Sequence, residues 1–265
     1  MKAMIPSAAY ILNRRIYKES SLLLDVFSYD YGRHSILARS SLKSTQGWSA
    51  ILQVFQPLLL SWTGRSSLKT LVSVEAPSAA IALHNERLFS AYYLNELIIK
   101  LVGISMESST VASSSRIVNT AHQNIFLAYA QALSGLQTEE NIEVPLRRFE
   151  YLLLEDLGIF PDFRQDIYGS AINADLNYQL VPQQGFVAIT SIGARINDRL
   201  EIQGRYLQLF EHELNDVDHL SEDQRKPCLQ QLKKLMRALI EEVLEGKELK
   251  SRRLFQRYQP NRSMS

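Results

Sequence analysis

The chain has 265 residues, 46% of them hydrophobic, with a formal net charge of +1. That is enough apolar material to build a core in one large domain or two modest ones, while no apolar run reaches the roughly 18 residues that a membrane-spanning helix needs. One cysteine, Cys228, excludes an internal disulfide and a multi-cysteine zinc cluster. Arg14 and Arg15 follow the first short apolar stretch instead of preceding it, so no signal peptide is expected and the protein is expected in the cytoplasm.

Residues 1–80 read as five short strands, at 9–12, 21–28, 33–39, 56–62 and 68–75, separated by turn segments such as Tyr29-Asp30-Tyr31-Gly32. Leu22, Leu24 and Val26 share one face of the second strand, and Leu68, Thr70, Val72 and Val74 one face of the fifth, the period of two that a barrel wall requires. The number and spacing fit an OB-fold, with other small barrels open. Helical spacing takes over after Pro77. Helices are expected over 85–104 and 115–133, then from Pro145 to a Gly158 cap, with Pro161 forbidding continuation. Residues 178–181 and 186–190 flank Pro182-Gln183-Gln184-Gly185 as a small hairpin. A further helix begins near Gly204, and a long last helix begins at Pro227 and stops at Glu245-Gly246. The expected class is α+β: a five-stranded OB-fold barrel over 1–80, then a mainly helical domain over 81–265 with a hairpin near 177–190.

Charge is segmented along the chain. Residues 1–80 carry nine Lys or Arg against four acids, an excess of +5, while residues 81–160 carry five against nine, or −4. The last twenty residues hold Lys247, Lys250, Arg252, Arg253, Arg257 and Arg262 against Glu248 alone. In that stretch Leu249, Leu254 and Phe255 are spaced to pack it back onto the body. The stretch is therefore read as a docked segment, its three central cations either extending a surface that faces a polyanion or bridging to acidic regions.

No phosphate-binding glycine loop, nucleophile elbow or metalloprotease helix occurs. Two Ser-x-x-Lys spacings, Ser40 to Lys43 and Ser66 to Lys69, fall in strand or loop territory, where the helical geometry that activates serine is lost. His212, Glu213 and His219 lack a third strong ligand and read as surface groups. Cys228 is read as packing. No cofactor is expected. The third strand sets Arg33, Ser35, Leu37 and Arg39 on one face, Lys43 follows in the next loop, and Arg65 and Lys69 flank the last hairpin. With Tyr29 and Tyr31 in the intervening turn, these could track phosphates and stack bases as OB-folds do, or they could be a solvated surface with turn tyrosines. Arg147 and Arg148, with Tyr151 a turn further on, could clamp a peptide ending in a carboxylate and an apolar side chain, or could bridge Glu143, Glu150 or Glu155 within their own helix.

Six segments, KESSLLLDVFSYDYGRHSILARS, LKTLVSVEA, YYLNELI, PLRRFEYLLLEDLG, QGFVAI and KELKSRRLFQRYQP, resemble in order and spacing the bacterial RecO family of recombination mediators. The resemblance covers nearly the whole chain. It implies an OB-fold and a helical region, and a non-enzymatic role in the RecF pathway of DNA repair. That role comprises binding single- and double-stranded DNA, annealing complementary strands, recognising the acidic tail of single-stranded-DNA-binding protein, and helping RecR load RecA. Gly32, Arg33 and Arg39 match the family pattern G-[KR]-x(5)-[KR]-G, with Ser40 in place of its last glycine. The resemblance also implies no zinc site, because the four-cysteine finger of some relatives is missing. The alternative is a non-enzymatic protein-interaction scaffold whose barrel binds no nucleic acid.

Overall fold

The computed structural model describes residues 5–17, 21–39, 48–64, 68–102, 115–189, 200–213 and 221–258. They form two compact units, one of residues 1–140 and 249–265, the other of residues 141–248.

The first unit opens with a closed barrel of β1 (Ser7–Ile16), β2 (Ser21–Ser28), β3 (Gly32–Arg39), β4 (Leu58–Thr63) and β5 (Leu68–Glu75). Its strand order is β1-β2-β3-β5-β4, closing back onto β1. Only β3 and β5 run parallel, and β4 seals the barrel along Ser7–Ala9. This is the expected OB-like five-stranded barrel. Alternation fills it with Ala9, Ile11, Leu24, Val26, Ile36, Ala38, Leu58, Leu60 and Trp62. Gly32 closes the β2–β3 turn at φ +67°, in the left-handed region that side chains disfavour.

The period of two breaks at two bulges. In β5, Ser73 faces Ser61 but Leu71 faces Trp62, so Val72 is an extra residue. The extra residue reverses the alternation beyond it. Leu71 and Val74 therefore turn toward the core, leaving Val72 44% and Leu68 38% exposed. The single face expected for Leu68, Thr70, Val72 and Val74 is thus corrected. In β1, Leu12 is the extra residue between Ile11 and Asn13.

Helix α1 (Asn85–Leu97), continued by a wider turn over Ile98–Val102, and helix α2 (Ser115–Thr138) belong to the same unit and cover the outside of the barrel. Tyr10 meets Phe126 and Tyr129 at ring separations of 5.5 and 5.2 Å, and Phe27 meets Phe126 at 5.7 Å. A polar bridge crosses this apolar layer. Asn95 Nδ2 donates to the Leu12 carbonyl at 2.7 Å, and the Tyr129 hydroxyl donates to Asn95 Oδ1 at 2.5 Å. Burial first, and then the neighbouring Tyr10, pushes the Tyr129 phenol well above its ordinary pKa, so it remains a donor.

The second unit contains α3 (Glu143–Asp156) and a three-stranded sheet of β6 (Asn177–Val181), β7 (Gly185–Ala188) and β8 (Glu201–Gln203), ordered β7-β6-β8. It is completed by α4 (Gly204–Glu213) and α5 (Glu222–Val243). The expected hairpin is present with β8 added. Helix α5 begins five residues before Pro227. At its start the Ser221 hydroxyl donates to Gln224 Oε1 at 3.1 Å. Pro227 then forfeits one backbone bond near the helix end. The chain returns to the first unit through α6 (Lys250–Tyr258).

Candidate nucleic-acid interface

In β3 the outward residues are Arg33, Ser35, Leu37 and Arg39, and they do not share one environment. Arg33 lies in register with Phe27 and, across β2, with Tyr10. It therefore stands on the helix-covered side, and its Nη1 donates to the Ile99 carbonyl at 2.6 Å. Tyr29 is likewise turned to the helices, with its ring 5.7 Å from Phe126. Arg39, at the far end of β3, is exposed.

Tyr31 belongs to the opposite rim. Its ring lies 5.4 Å from Trp62 in an edge-on arrangement, and His34 lies 5.4 Å from the same indole. Lys69 stands near this rim in β5, where its Nζ donates to the Gly64 carbonyl at 3.2 Å. Lys43 and Arg65 lie outside the described residues. The structure thus separates the candidates: Tyr31 and Lys69 toward one end of the barrel, Arg39 at the other, and Arg33 and Tyr29 beneath helices.

Beside Arg39 the structure adds residues that the strand pattern did not single out. Strand β1 runs past the barrel to Ile16, and its pairing sets Arg15 opposite Leu23, which in turn faces Leu37. Directly opposed residues point to the same side of a sheet, so Arg15, Tyr17 and Arg39 share the outer side of the β1–β2–β3 tip. All three are exposed, Tyr17 by 41%, and the neighbouring Ile16 by 83%. Arg39 lies two strand spacings across and two residues along from Arg15, about 12 Å away. The Tyr17 N–H donates to the Ser21 carbonyl at 2.7 Å and holds the tip as a hairpin. Two cations around an accessible ring can neutralise phosphates and stack a base. The sequence signal was an Arg-Arg pair followed by an isolated Ile-Tyr with no apolar alternation around it.

In the second unit Arg147 is buried. Its Nη1 lies 2.6 Å from Glu150 Oε2, and Glu150 is wholly inaccessible; its Nε lies 3.6 Å from Glu143. Glu143 also takes Lys233 Nζ from α5 at 2.7 Å. The intrahelical alternative is therefore the arrangement seen for Arg147. Arg148 is half-buried. The Tyr151 hydroxyl donates to Glu155 Oε1 at 3.1 Å, and its ring meets Phe160 at 4.5 Å. Cys228 is buried within α5. Among the described residues, no group of three or more His, Cys, Asp or Glu is placed to hold a metal ion, and no helix is long and apolar enough to cross a membrane.

Two family models match the chain. The one described as Recombination protein O N terminal covers residues 1–79, and Recombination protein O C terminal covers residues 118–253. The chain is 34% identical to the DNA repair protein RecO of Haemophilus influenzae (strain PittGG) over 247 residues, 93% of each chain. It is 33% identical to that of Pasteurella multocida over 252 residues, 94% of this chain and 93% of the relative. It is 35% identical to that of Aliivibrio fischeri (strain MJ11) over 250 residues, 93% of each. With its OB-like barrel, its helical remainder and matches of this length, the chain belongs to the recombination protein O family.

Proposed function

We propose that this protein is a non-catalytic DNA-repair mediator. It binds single- and double-stranded DNA through phosphates, anneals complementary strands, and with RecR promotes RecA loading on DNA coated by single-stranded-DNA-binding protein. The observation that carries the reading is the tip of the barrel, where Arg15, Tyr17 and Arg39 stand exposed on one face of a chain whose family is established. Tyr31 and Lys69 serve the opposite rim, and Lys43 and Arg65, outside the described residues, add further phosphate contacts. Arg33 and Tyr29 position the barrel wall beneath its helices. In the second unit Arg148 and Tyr151 receive the acidic tail of the single-strand-binding protein, and Arg147 holds their helix in place.

Phosphate binding releases counterions, so affinity for a labelled single strand should fall with salt at a log–log slope of about −0.7 per contact. Arg15→Gln with Arg39→Gln should flatten that slope by about 1.4 and weaken binding at low salt. Anisotropy titrations of the unchanged and substituted proteins test this. Absence of oligonucleotide binding at low salt would instead favour a scaffold whose barrel contacts only proteins.

A further inference from the structure

Helix α6 has two sides of opposite character. Its inner side is fastened to α1. The Glu96 carboxylate accepts hydrogen bonds from the Lys250 N–H at 2.9 Å, the Ser251 N–H at 2.8 Å and the Ser251 hydroxyl at 2.7 Å. Lys100 Nζ lies 3.5 Å from the same carboxylate. The Arg252 guanidinium carbon sits 5.8 Å from the centre of the Tyr93 ring, and Phe255 meets Phe89 at 6.3 Å.

The outer side carries Lys250, Arg253, Leu254 and Arg257, spaced i, i+3, i+4, i+7, and all four are exposed, Leu254 by 52%. Leu254 was expected to pack inward; the helical period instead places it between the cations, one residue before the ring that does pack. No carboxylate pairs with Lys250, Arg253 or Arg257 among the described residues. Arg253 and Arg257, one turn apart, repel each other. Nine residues are too few to hold a helix without external support. The Glu96 clamp supplies that support and keeps three like charges in a fixed row.

We propose that this row is a second phosphate-binding site for a nucleic-acid backbone, separate from the barrel tip; the proposal rests on the DNA-binding reading above. At a rise of 1.5 Å per residue the row spans about 10 Å, the length over which one strand of B-form DNA presents about three phosphates. Three cations thus meet three charges, and Leu254 lies against the sugars between them. The location gives the row its use. Glu96 engages the start of α6 and Phe89 meets its middle, so α6 runs antiparallel to α1 and its Lys250 end lies by the turn whose Ile99 carbonyl holds Arg33. Arg39, at the barrel tip, is six residues further along β3, about 20 Å. One unit can then hold two strands at separate places, which is what bringing complementary strands together requires.

The test uses the full chain with Lys250→Gln, Arg253→Gln and Arg257→Gln combined, beside Arg15→Gln with Arg39→Gln. The triple variant should keep its melting temperature, reduce the salt slope for a labelled single strand by about 2, and slow annealing of complementary oligonucleotides at least tenfold. Single substitutions should each take about 0.7 from the slope. An unchanged slope and annealing rate in the triple variant, beside a reduced slope in the tip variant, overturns the row and leaves the tip. A triple variant that keeps its DNA slope but no longer holds a polyglutamate peptide gives the row to an acidic protein and also overturns it. No oligonucleotide binding by the unchanged protein overturns both readings.

Discussion

Arg147 illustrates how a charge at a promising spacing can serve the fold. Its distance from Glu143 and Glu150 along α3 is readable in the sequence as i,i+4 and i,i+3. Its burial is not readable, because which face of an amphipathic helix is covered depends on elements far along the chain. With Glu150 fully inaccessible and 2.6 Å away, Arg147→Ala would remove a cation in direct contact with a buried carboxylate. Removing one partner of such a pair costs about 3–5 kcal/mol, whereas replacing both with apolar groups is often neutral. Urea unfolding should therefore show Arg147→Ala strongly destabilised and Arg147→Met with Glu150→Leu close to the unchanged protein. An Arg147→Ala protein of undiminished stability that only lost a partner would make the guanidinium a ligand instead. The half-buried Arg148 is the better probe of tail binding, and Arg148→Ala should weaken tail binding with DNA affinity intact.

At the level of elements, the strands were legible wherever the core imposed alternation and illegible where it did not. Strands β2 and β5 fall at the expected positions, yet the bulge at Val72 reverses the face of β5 beyond it, and a bulge has no fixed residue signature. The apolar alternation of β1 stops at Leu12, so the sequence predicts four residues of a strand that runs from Ser7 to Ile16. Beyond Leu12 the hairpin leaves the barrel, no core demands apolar residues, and the exposed Arg15 and Tyr17 escape a pattern search. Helix α6 was legible as a docked segment but its clamp was not, since Glu96 lies 155 residues from Ser251. Burial pushes the Glu96 carboxyl up, but the hydrogen bonds from Ser251 and Lys250 and the charge of Lys100 together hold it below its ordinary value. A carboxyl lowered in the folded state contributes stability that is complete above the ordinary glutamate range, near pH 4.3. That contribution is lost as pH falls through the folded value. The clamp should be indifferent to pH near neutrality and open in acid. Glu96→Gln at pH 7 should open it without acid. Protection factors, corrected for the intrinsic exchange rate at each pH, should fall at the amides of residues 250–258 in both cases while β2 and β3 stay protected. An equal fall across the barrel would mean that Glu96 supports the whole unit and not the helix alone.

For the whole molecule, the change from strand to helix periodicity after Pro77 is a change of secondary structure, and packing then joins α1, α2 and α6 to the barrel in one unit. Periodicity reports which face of an element is buried and not which other element buries it. The chain leaves this unit at residue 140, builds the second from residues 141–248, and comes back only for its last segment. The two units should therefore respond differently to loss of the C-terminus. Ending the chain at Glu248 removes Leu249 from its buried site and strips α1 of Phe255, Ser251 and the ring contact from Arg252. Losing one buried Leu and one half-buried Phe costs several kcal/mol at about 1.5–3 kcal/mol per fully buried side chain, comparable to the 5–15 kcal/mol by which a domain is stable at all. The loss should be confined to the unit that contains the barrel. Native-state hydrogen exchange should show protection falling in α1 and the barrel strands and holding in α3, α5 and β6. Thermal unfolding should then separate into an early transition from the barrel unit and a later one unchanged by the truncation. A uniform loss of protection across both units would show that they unfold as one body and that the chain's return through α6 does not confine its stabilising effect.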